Sequence, residues 1–339
     1  MDRKSLSFLA LGLLVGVLLT SAALIPAVRA GKSGPDAERK TVLKLGHVLD
    51  PQHPVHLGME FMGRRLFGIS GGTVELQIFP GGQLGTEPEM IEQLQRGALA
   101  MVKTSTAAME GFVPEMAVFS LPYLFPDEER YWRVLNGPIG RELLAAGERH
   151  GIHGLCYYDS GSRSFYTLKR PILKPGDVKE MKLRVLPSKT ARDLITTLGG
   201  GPTPVPWGEL YTALQQGMVD GAENNPPSFL SSRHYEIAKH FSLDEHTRIP
   251  DMVIFSKPVW DSLSPEVRNW VNEAAAESVD YQRKLWREKT EEALKIVAEA
   301  GVTVYRPDKA AFVEATAPMY AALEDRRITE LVRRIRDVP

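Results

Sequence analysis

Leu94-Gln95-Arg96-Gly97-Ala98-Leu99-Ala100-Met101 is echoed later in the chain by Leu214-Gln215-Gln216-Gly217-Met218-Val219-Asp220-Gly221. Each copy closes an amphipathic stretch with Leu-Gln-x-Gly and then opens a strand-like run, and each follows a Pro/Gly-rich loop. A glycine just past the last periodic residue is a helix stop, because it accepts the left-handed backbone conformation that other residues resist. So short a match can be coincidence. The alternative is two α/β lobes of similar plan that face each other.

Working outward, the segments around the first copy alternate between strand and helix. Val42-Leu43-Lys44-Leu45-Gly46 reads as a buried strand, Val55 to Phe67 as a helix, and Gly71-Gly72 as a turn. Thr73 to Phe79 alternates with period two and stops at Pro80-Gly81-Gly82. Thr86 with Glu89 has the capping-box spacing for a helix that ends at Gly97. Strands separated by helices of this length imply parallel β-α-β units, an α/β class. From Pro265 to Ala300 no internal Pro or Gly interrupts an amphipathic pattern carried by Val267, Trp270, Val271, Ala274, Val279, Leu285, Leu294 and Val297. Such a helix is about 50 Å long, which exceeds the width of one small domain. It either kinks or braces two lobes whose cleft opens and closes.

The chain has 339 residues, 43% hydrophobic and 24% charged, an ordinary globular balance. Its start is different material. Arg3 and Lys4 precede an uncharged run from Leu6 to Leu24, and Val28-Arg29-Ala30 offers a small-residue cleavage site. Residues 1–30 read as a secretory signal peptide. The run is long enough to span a bilayer, so an uncleaved anchor is the alternative. Residues 31–40 read as a polar, disordered leader. Removing residues 1–30 takes away three bases (Arg3, Lys4, Arg29) and one acid (Asp2), which shifts the formal net charge from −1 to −3. That argues against nucleic acid as a partner. Cys156 is the single cysteine, so no intramolecular disulfide forms and no lipid-attachment cysteine stands near the cleavage site. A soluble periplasmic protein fits. About 310 remaining residues suit two domains. We place one lobe at residues 41–160 with about 250–290, and the other at 161–249 with about 291–339.

Catalytic motifs are missing. There is no His-Glu-x-x-His, no Gly-Lys-Ser/Thr phosphate loop and no Gly-x-Ser-x-Gly. His53-x-x-His56 and His150-x-x-His153 with Cys156 have only loose metal-ligand spacing, and zinc needs four converging ligands or three and a water. No metal or cofactor is expected. His47 and His56 flank a Pro-containing loop after the first strand, a place where α/β folds put ligands.

A carboxylate-binding set is present instead. Arg184 stands near the end of the short strand Lys182-Leu183-Arg184-Val185. Its guanidinium offers the paired donors a carboxylate needs, unless the side chain faces outward from a half-exposed strand. Arg163, in Ser160-Gly161-Ser162-Arg163-Ser164, reads by itself as a solvated loop charge. Trp207 can lay its face on a ligand's carbon skeleton or pack in a core. Asn224 both donates and accepts, or simply forms the turn before Pro226-Pro227. Lys103-Thr104-Ser105-Thr106 occupies, after the first Leu-Gln-x-Gly, the position that Glu223-Asn224-Asn225 occupies after the second, so the two loops can face each other. Glu87, at a helix start, can accept from ligand hydroxyls or only favour the helix dipole.

In combination and order, five segments resemble the substrate-binding proteins of tripartite ATP-independent periplasmic (TRAP) transporters of the dicarboxylate-binding type. They are Phe79-Pro80-Gly81-Gly82-Gln83-Leu84-Gly85, Ala117-Val118-Phe119-Ser120-Leu121-Pro122-Tyr123, Lys182-Leu183-Arg184-Val185, Trp207-Gly208-Glu209-Leu210-Tyr211-Thr212-Ala213-Leu214-Gln215, and Val219-Asp220-Gly221-Ala222-Glu223-Asn224. The resemblance runs from about Thr41 to Asp325. It implies a two-lobed periplasmic binding protein fold with a long helix spanning both lobes, an organic acid as ligand, and small and large membrane subunits as partners. It implies that Arg184 pairs with the ligand carboxylate, that Arg163 assists, that Trp207 is the cleft aromatic and that Asn224 is the polar contact of the second lobe. Asp159 joins the candidate contacts. One departure is Ala100, where an acidic residue is common after the first Leu-Gln-x-Gly. Glu87, Lys103, Ser105 and the Asn224-Asn225 pair resemble the sugar-acid branch, and a hexuronate is the favoured ligand. A four-carbon dicarboxylate would use Lys103 as its second cation. The rival classes are a secreted enzyme on sugar acids, with Glu87 and His56 as acid and base, and a periplasmic sensor that presents its ligand to a receptor.

Overall fold

Both Leu-Gln-x-Gly stretches end their helices by one hydrogen-bond pattern. Gly97 and Gly217 have φ of 74° and 66°. Gly97 N–H donates to Leu94 O and Ala98 N–H to Gln93 O; Gly217 N–H donates to Leu214 O and Met218 N–H to Ala213 O, all at 2.9–3.0 Å. These are the two bonds of a Schellman stop. The echo is therefore a repeated local structure, and each copy leads into a strand, Met101–Ser105 after the first and Gly221–Asn224 after the second.

This computed structural model describes residues 40–339. The expected signal segment, and the leader up to residue 39, lie outside the described residues. In chain order the strands are β1 Thr41–Gly46, β2 Val74–Phe79, β3 Met101–Ser105, β4 Ile152–Tyr158, β5 Arg163–Thr167, β6 Lys182–Val185, β7 Gly201–Pro204, β8 Gly221–Asn224, β9 His240–Thr247, β10 Asp251–Ser256 and β11 Thr303–Tyr305. They form two sheets, β2-β1-β3-β10-β4 and β11-β9-β5-β8-β6-β7. β1 and β3 pair in parallel, as do β6 with β7 and with β8. The parallel β-α-β units are joined by antiparallel strands that the pattern did not announce: β10 runs antiparallel between β3 and β4, and β5 runs antiparallel between β8 and β9. The chain passes from one sheet to the other at β4–β5 and returns at β9–β10, and a strand that arrives from the other sheet enters with reversed direction.

Each sheet is covered on both faces. In the first lobe, the helix Pro54–Ile69 contributes Val55, Met59, Met62 and Leu66 to a core with Leu43, Leu45 and Phe255. The long helix Pro265–Glu299 is continuous. It places Val271, Ala274, Ala275 and Trp286 in that first-lobe core and Val297 in a second-lobe core with Tyr166, Phe229 and Phe241. It is a brace across both lobes. Gln282, fully buried, fixes it to the crossover. Its amide accepts from Asp159 N–H at 2.8 Å and donates to Asp159 O at 2.9 Å.

The boundary expected for the second lobe changes at its C-terminal end. The helix Arg326–Arg336 buries Ile328, Leu331, Val332 and Ile335 among Met116, Phe119 and Leu143 of the first lobe. The preceding helix Lys309–Ala321 packs Phe312 and Met319 with Leu183 and Ile195 of the second. The apolar face of the last helix finds its partner across the molecule, which no local pattern announces.

Candidate functional site

A cavity of about 430 Å³ opens between the lobes. Val48, Gly85 and Glu87 line it from the first lobe, and Arg184, Pro204, Val205 and Trp207 from the second. Arg184 points inward and is 1% exposed. Its Nε donates to Val205 O at 2.9 Å, and its Nη1 is buried without a hydrogen-bond partner. The Trp207 ring lies 5.7 Å from the guanidinium carbon. Burial lowers the Arg184 pKa, yet an arginine stays charged in any ordinary pH range. Among the described residues no carboxylate lies at ion-pair distance from it. A buried cation with open donors is costly unless an anion joins it.

Arg163 contrasts with this. It begins β5 and is buried, so the solvated-loop reading does not hold. Its Nε and Nη2 grip the Glu223 carboxylate at 2.5 and 2.9 Å, Nη2 also donates to Glu223 O at 2.9 Å, and Nη1 donates to Asn224 Oδ1 at 2.9 Å. Four of five N–H donors are spent inside the protein. Asn224 Oδ1 accepts from Asn225 N–H as well, which leaves the Asn224 amide NH2 for other contacts. Behind Glu223 stands His246. Its Nδ1 donates to Asp244 Oδ2 at 2.8 Å and its Nε2 lies 3.6 Å from Glu223 Oε2. Burial opposes its charge, but Asp244 and Glu223 outweigh burial and hold its pKa up at about 9. Burial likewise opposes the Glu223 charge, and Arg163 with His246 pulls its pKa down to about 2.

The first-lobe wall is built from a helix start and β3. Thr86 caps the helix Glu87–Gln95 in the expected capping box with Glu89. That orients Glu87 so that its Oε1 accepts from Ser105 N–H at 2.9 Å and Thr104 Oγ1 at 3.1 Å. Ser105 Oγ caps the short helix Thr106–Met109 by accepting from Ala107 N–H. Lys103 is buried and pairs with Asp251 at 3.0 Å.

His47, His56 and Asp159 sit elsewhere in the network. His47 Nδ1 accepts from Leu49 N–H, so its Nε2–H donates to His56 Nδ1 at 2.9 Å, and His56 Nε2 lies 3.3 Å from Glu60. Burial, with Lys103 and His56 near, pushes the His47 pKa far down and keeps the ring neutral. Asp159 follows β4 at the crossover, where its Oδ1 accepts from Gly161 N–H at 2.9 Å and burial raises its pKa to about 6. It lines a groove with Arg248 and Trp286 rather than the cavity that holds Arg184. The structure thus joins Arg184, Trp207 and Glu87 around one cavity, places Arg163 and Asn224 in the ion-pair network, sets Lys103 against Asp251, and leaves the two histidines in a chain of their own. Glu223, His246 and Asp251 escaped the residue-by-residue reading. Glu223 lies within the quoted Val219–Asn224 segment, and its sign disguised it; His246 carries no motif. Among the described residues no group of three His, Cys, Asp or Glu is placed to hold a metal ion, and no helix is long and apolar enough to cross a membrane.

The family model for bacterial extracellular solute-binding proteins of family 7 matches residues 45–326. The chain belongs to this family. Its relatives include the C4-dicarboxylate-binding periplasmic protein DctP of Rhodobacter capsulatus, 32% identical over 331 residues, with 96% of this chain and 97% of that protein covered. A TRAP periplasmic solute-binding protein of a Bradyrhizobium species, in complex with D-galacturonate, superposes with a TM-score of 0.85 at 44% identity, covering 87% of this chain and 99% of that one. Another from Roseobacter denitrificans, with bound β-D-glucuronate, gives 0.85 at 37% identity, covering 88% and 100%. The two-lobed fold is that of TRAP solute-binding proteins, and the family is one of solute binding for transport.

Proposed function

We propose that this family 7 protein captures a sugar acid, foremost a hexuronate, in the periplasm after loss of residues 1–30, and delivers it to the small and large membrane subunits of a TRAP transporter. The observation that carries the reading is Arg184. It is a buried guanidinium with open donors in a cavity of about 430 Å³ beside an aromatic face. A ligand carboxylate takes those donors. Trp207 covers the carbon skeleton, while the second oxygen of Glu87 and the amide of Asn224 meet hydroxyls. A charge-assisted hydrogen bond contributes about 1.5–3 kcal/mol, and micromolar to nanomolar binding needs roughly 8–12 kcal/mol. The carboxylate contact alone is therefore too small, and hydroxyl contacts supply both affinity and choice. The hexuronates in the Bradyrhizobium and Roseobacter proteins support this class.

The four-carbon dicarboxylate reading draws support from the name of the Rhodobacter relative. It asks Lys103 for a second cation, and Lys103 is already paired with Asp251. An enzymatic reading asks His56 for acid–base work, and His56 is held between His47 and Glu60. Calorimetry with D-galacturonate, D-gluconate and succinate tests all three. The expected result is tightest binding of galacturonate, recovered unchanged after long incubation. Tighter succinate binding would move the reading to dicarboxylates, and turnover would make the chain an enzyme.

A further inference from the structure

The lobes also meet at a point outside the ligand residues. Glu110 follows the short helix Thr106–Met109, which starts at Ser105 of the first lobe. Its carboxylate reaches the second lobe, where Oε1 accepts from Thr190 N–H and Thr190 Oγ1, each at 3.1 Å, and Oε2 accepts from Ser188 Oγ. Ser188 is itself the N-cap of the helix Lys189–Thr197 and accepts from Ala191 N–H at 3.0 Å. Glu110 and Ser188 therefore divide the orphan donors at that helix start, where a negative charge also meets the positive end of the helix dipole. Ser188 lies four residues past Arg184. The contact ties the element after β3 to the element after β6, so the two strands that carry Ser105 and Arg184 are joined through their next helices.

The surroundings set what this contact can do. Ala107, Leu186 and Ile249 form a small buried cluster, and Ile249 belongs to the β9–β10 crossover that joins the two sheets. Next to it a groove of about 1080 Å³ runs between the lobes. Pro114 and Ala117 line it on one side, Asp193 and Thr197 on the other, and Glu110 and Thr190 stand in opposite walls. The carboxylate crosses from one wall to the other, beside the Ala107–Leu186–Ile249 cluster and the connection at residues 322–325, which also join the two walls. Parting the lobes on this side breaks its hydrogen bonds.

We propose that Glu110 is a latch of the closed form, a positioning residue that sets how long a captured acid stays. The proposal rests on capture of an acid between the lobes, but not on which acid. The test is stopped-flow Trp fluorescence with D-galacturonate, and with succinate as second probe, on the wild-type chain, Glu110→Ala, Thr190→Val and the double variant. Glu110→Ala is expected to raise koff about tenfold, roughly the net worth of one hydrogen bond to a charged group, with kon changed less than twofold. Thr190→Val is expected to raise koff less, and to add nothing on top of Glu110→Ala, because both remove one interaction. An unchanged koff overturns the latch. So does a Glu110→Ala effect that simply adds to that of Thr190→Val, which would mean that the two residues do not act through one contact. A wild-type chain that takes succinate and not galacturonate refutes the sugar-acid reading while the latch is decided on succinate. Binding of neither acid takes down capture and latch together.

Discussion

β3 of the first lobe and β8 of the second carry the same device with opposite signs. Lys103 stands two residues before the helix cap Ser105, and Glu223 stands two residues before the helix cap Asn225. Each strand has an antiparallel neighbour, in which Val253 faces Lys103 and Phe165 faces Glu223. In each neighbour the residue two places earlier supplies the counter-ion, Asp251 in one lobe and Arg163 in the other. The difference is in what remains. Both buried pairs are neutral overall, at a cost in desolvation, and Arg163 also holds Asn224 through its Oδ1. Arg184, on the strand next to β8, has no such partner. In the proposed function anion capture therefore falls to Arg184, with the paired Arg163 as framework.

The largest effect is expected at Arg184. Truncating one member of a buried charged contact costs about 2–5 kcal/mol. Arg184→Ala is expected to weaken galacturonate binding a hundredfold or more in calorimetry, and Arg184→Lys, which keeps the charge and loses the fork, to recover only part. Near wild-type affinity in Arg184→Ala would move the carboxylate site elsewhere. Next comes the second-lobe pair and its histidine. The His246 pKa is raised to about 9 in the folded chain, against about 6.5 when unfolded. Its contribution to stability is therefore complete below about pH 6.5 and is lost as pH rises toward about 9. Melting temperature should fall by a few degrees across that window and stay flatter in His246→Asn. Equal slopes in the two proteins would remove His246 from the network. The smallest effect belongs to the first-lobe pair. Asp251→Asn releases Lys103 to face the cleft, and succinate is expected to gain up to about tenfold while galacturonate does not, by roughly one charge-assisted contact. Unchanged succinate affinity would show that Lys103 cannot reach a ligand.

These outcomes also bear on what the residues alone can reveal. The helix stops at Gly97 and Gly217 and the Thr86–Glu89 box are short-range, so spacing discloses them and, with them, the two-lobe plan. The long brace was legible for the same reason, since nothing interrupts its pattern. Strand direction was not, because β10 and β5 take their sense from where the chain crosses between sheets. In the site, the burial of Arg163 depends on Glu223, and the neutralisation of Lys103 depends on Asp251, each on a strand distant in sequence. A loop that reads as solvated becomes the middle of an ion-pair network only when its partner arrives.

The helix Arg326–Arg336 sets a limit on the order of events during folding. Its Ile328, Leu331, Val332 and Ile335 complete a core begun by residues such as Met90 and Leu94. An N-terminal fragment that lacks it leaves that core open to water on one flank, however much of the chain has already been made. Nearly all contacts of this sort join distant parts of the chain, which slows the search for the native state. The first lobe cannot finish ahead of the second in the vectorial way common to multidomain proteins. On the proposed export of this chain, such a delay is an asset, because a half-exported chain has no stable lobe to jam the passage.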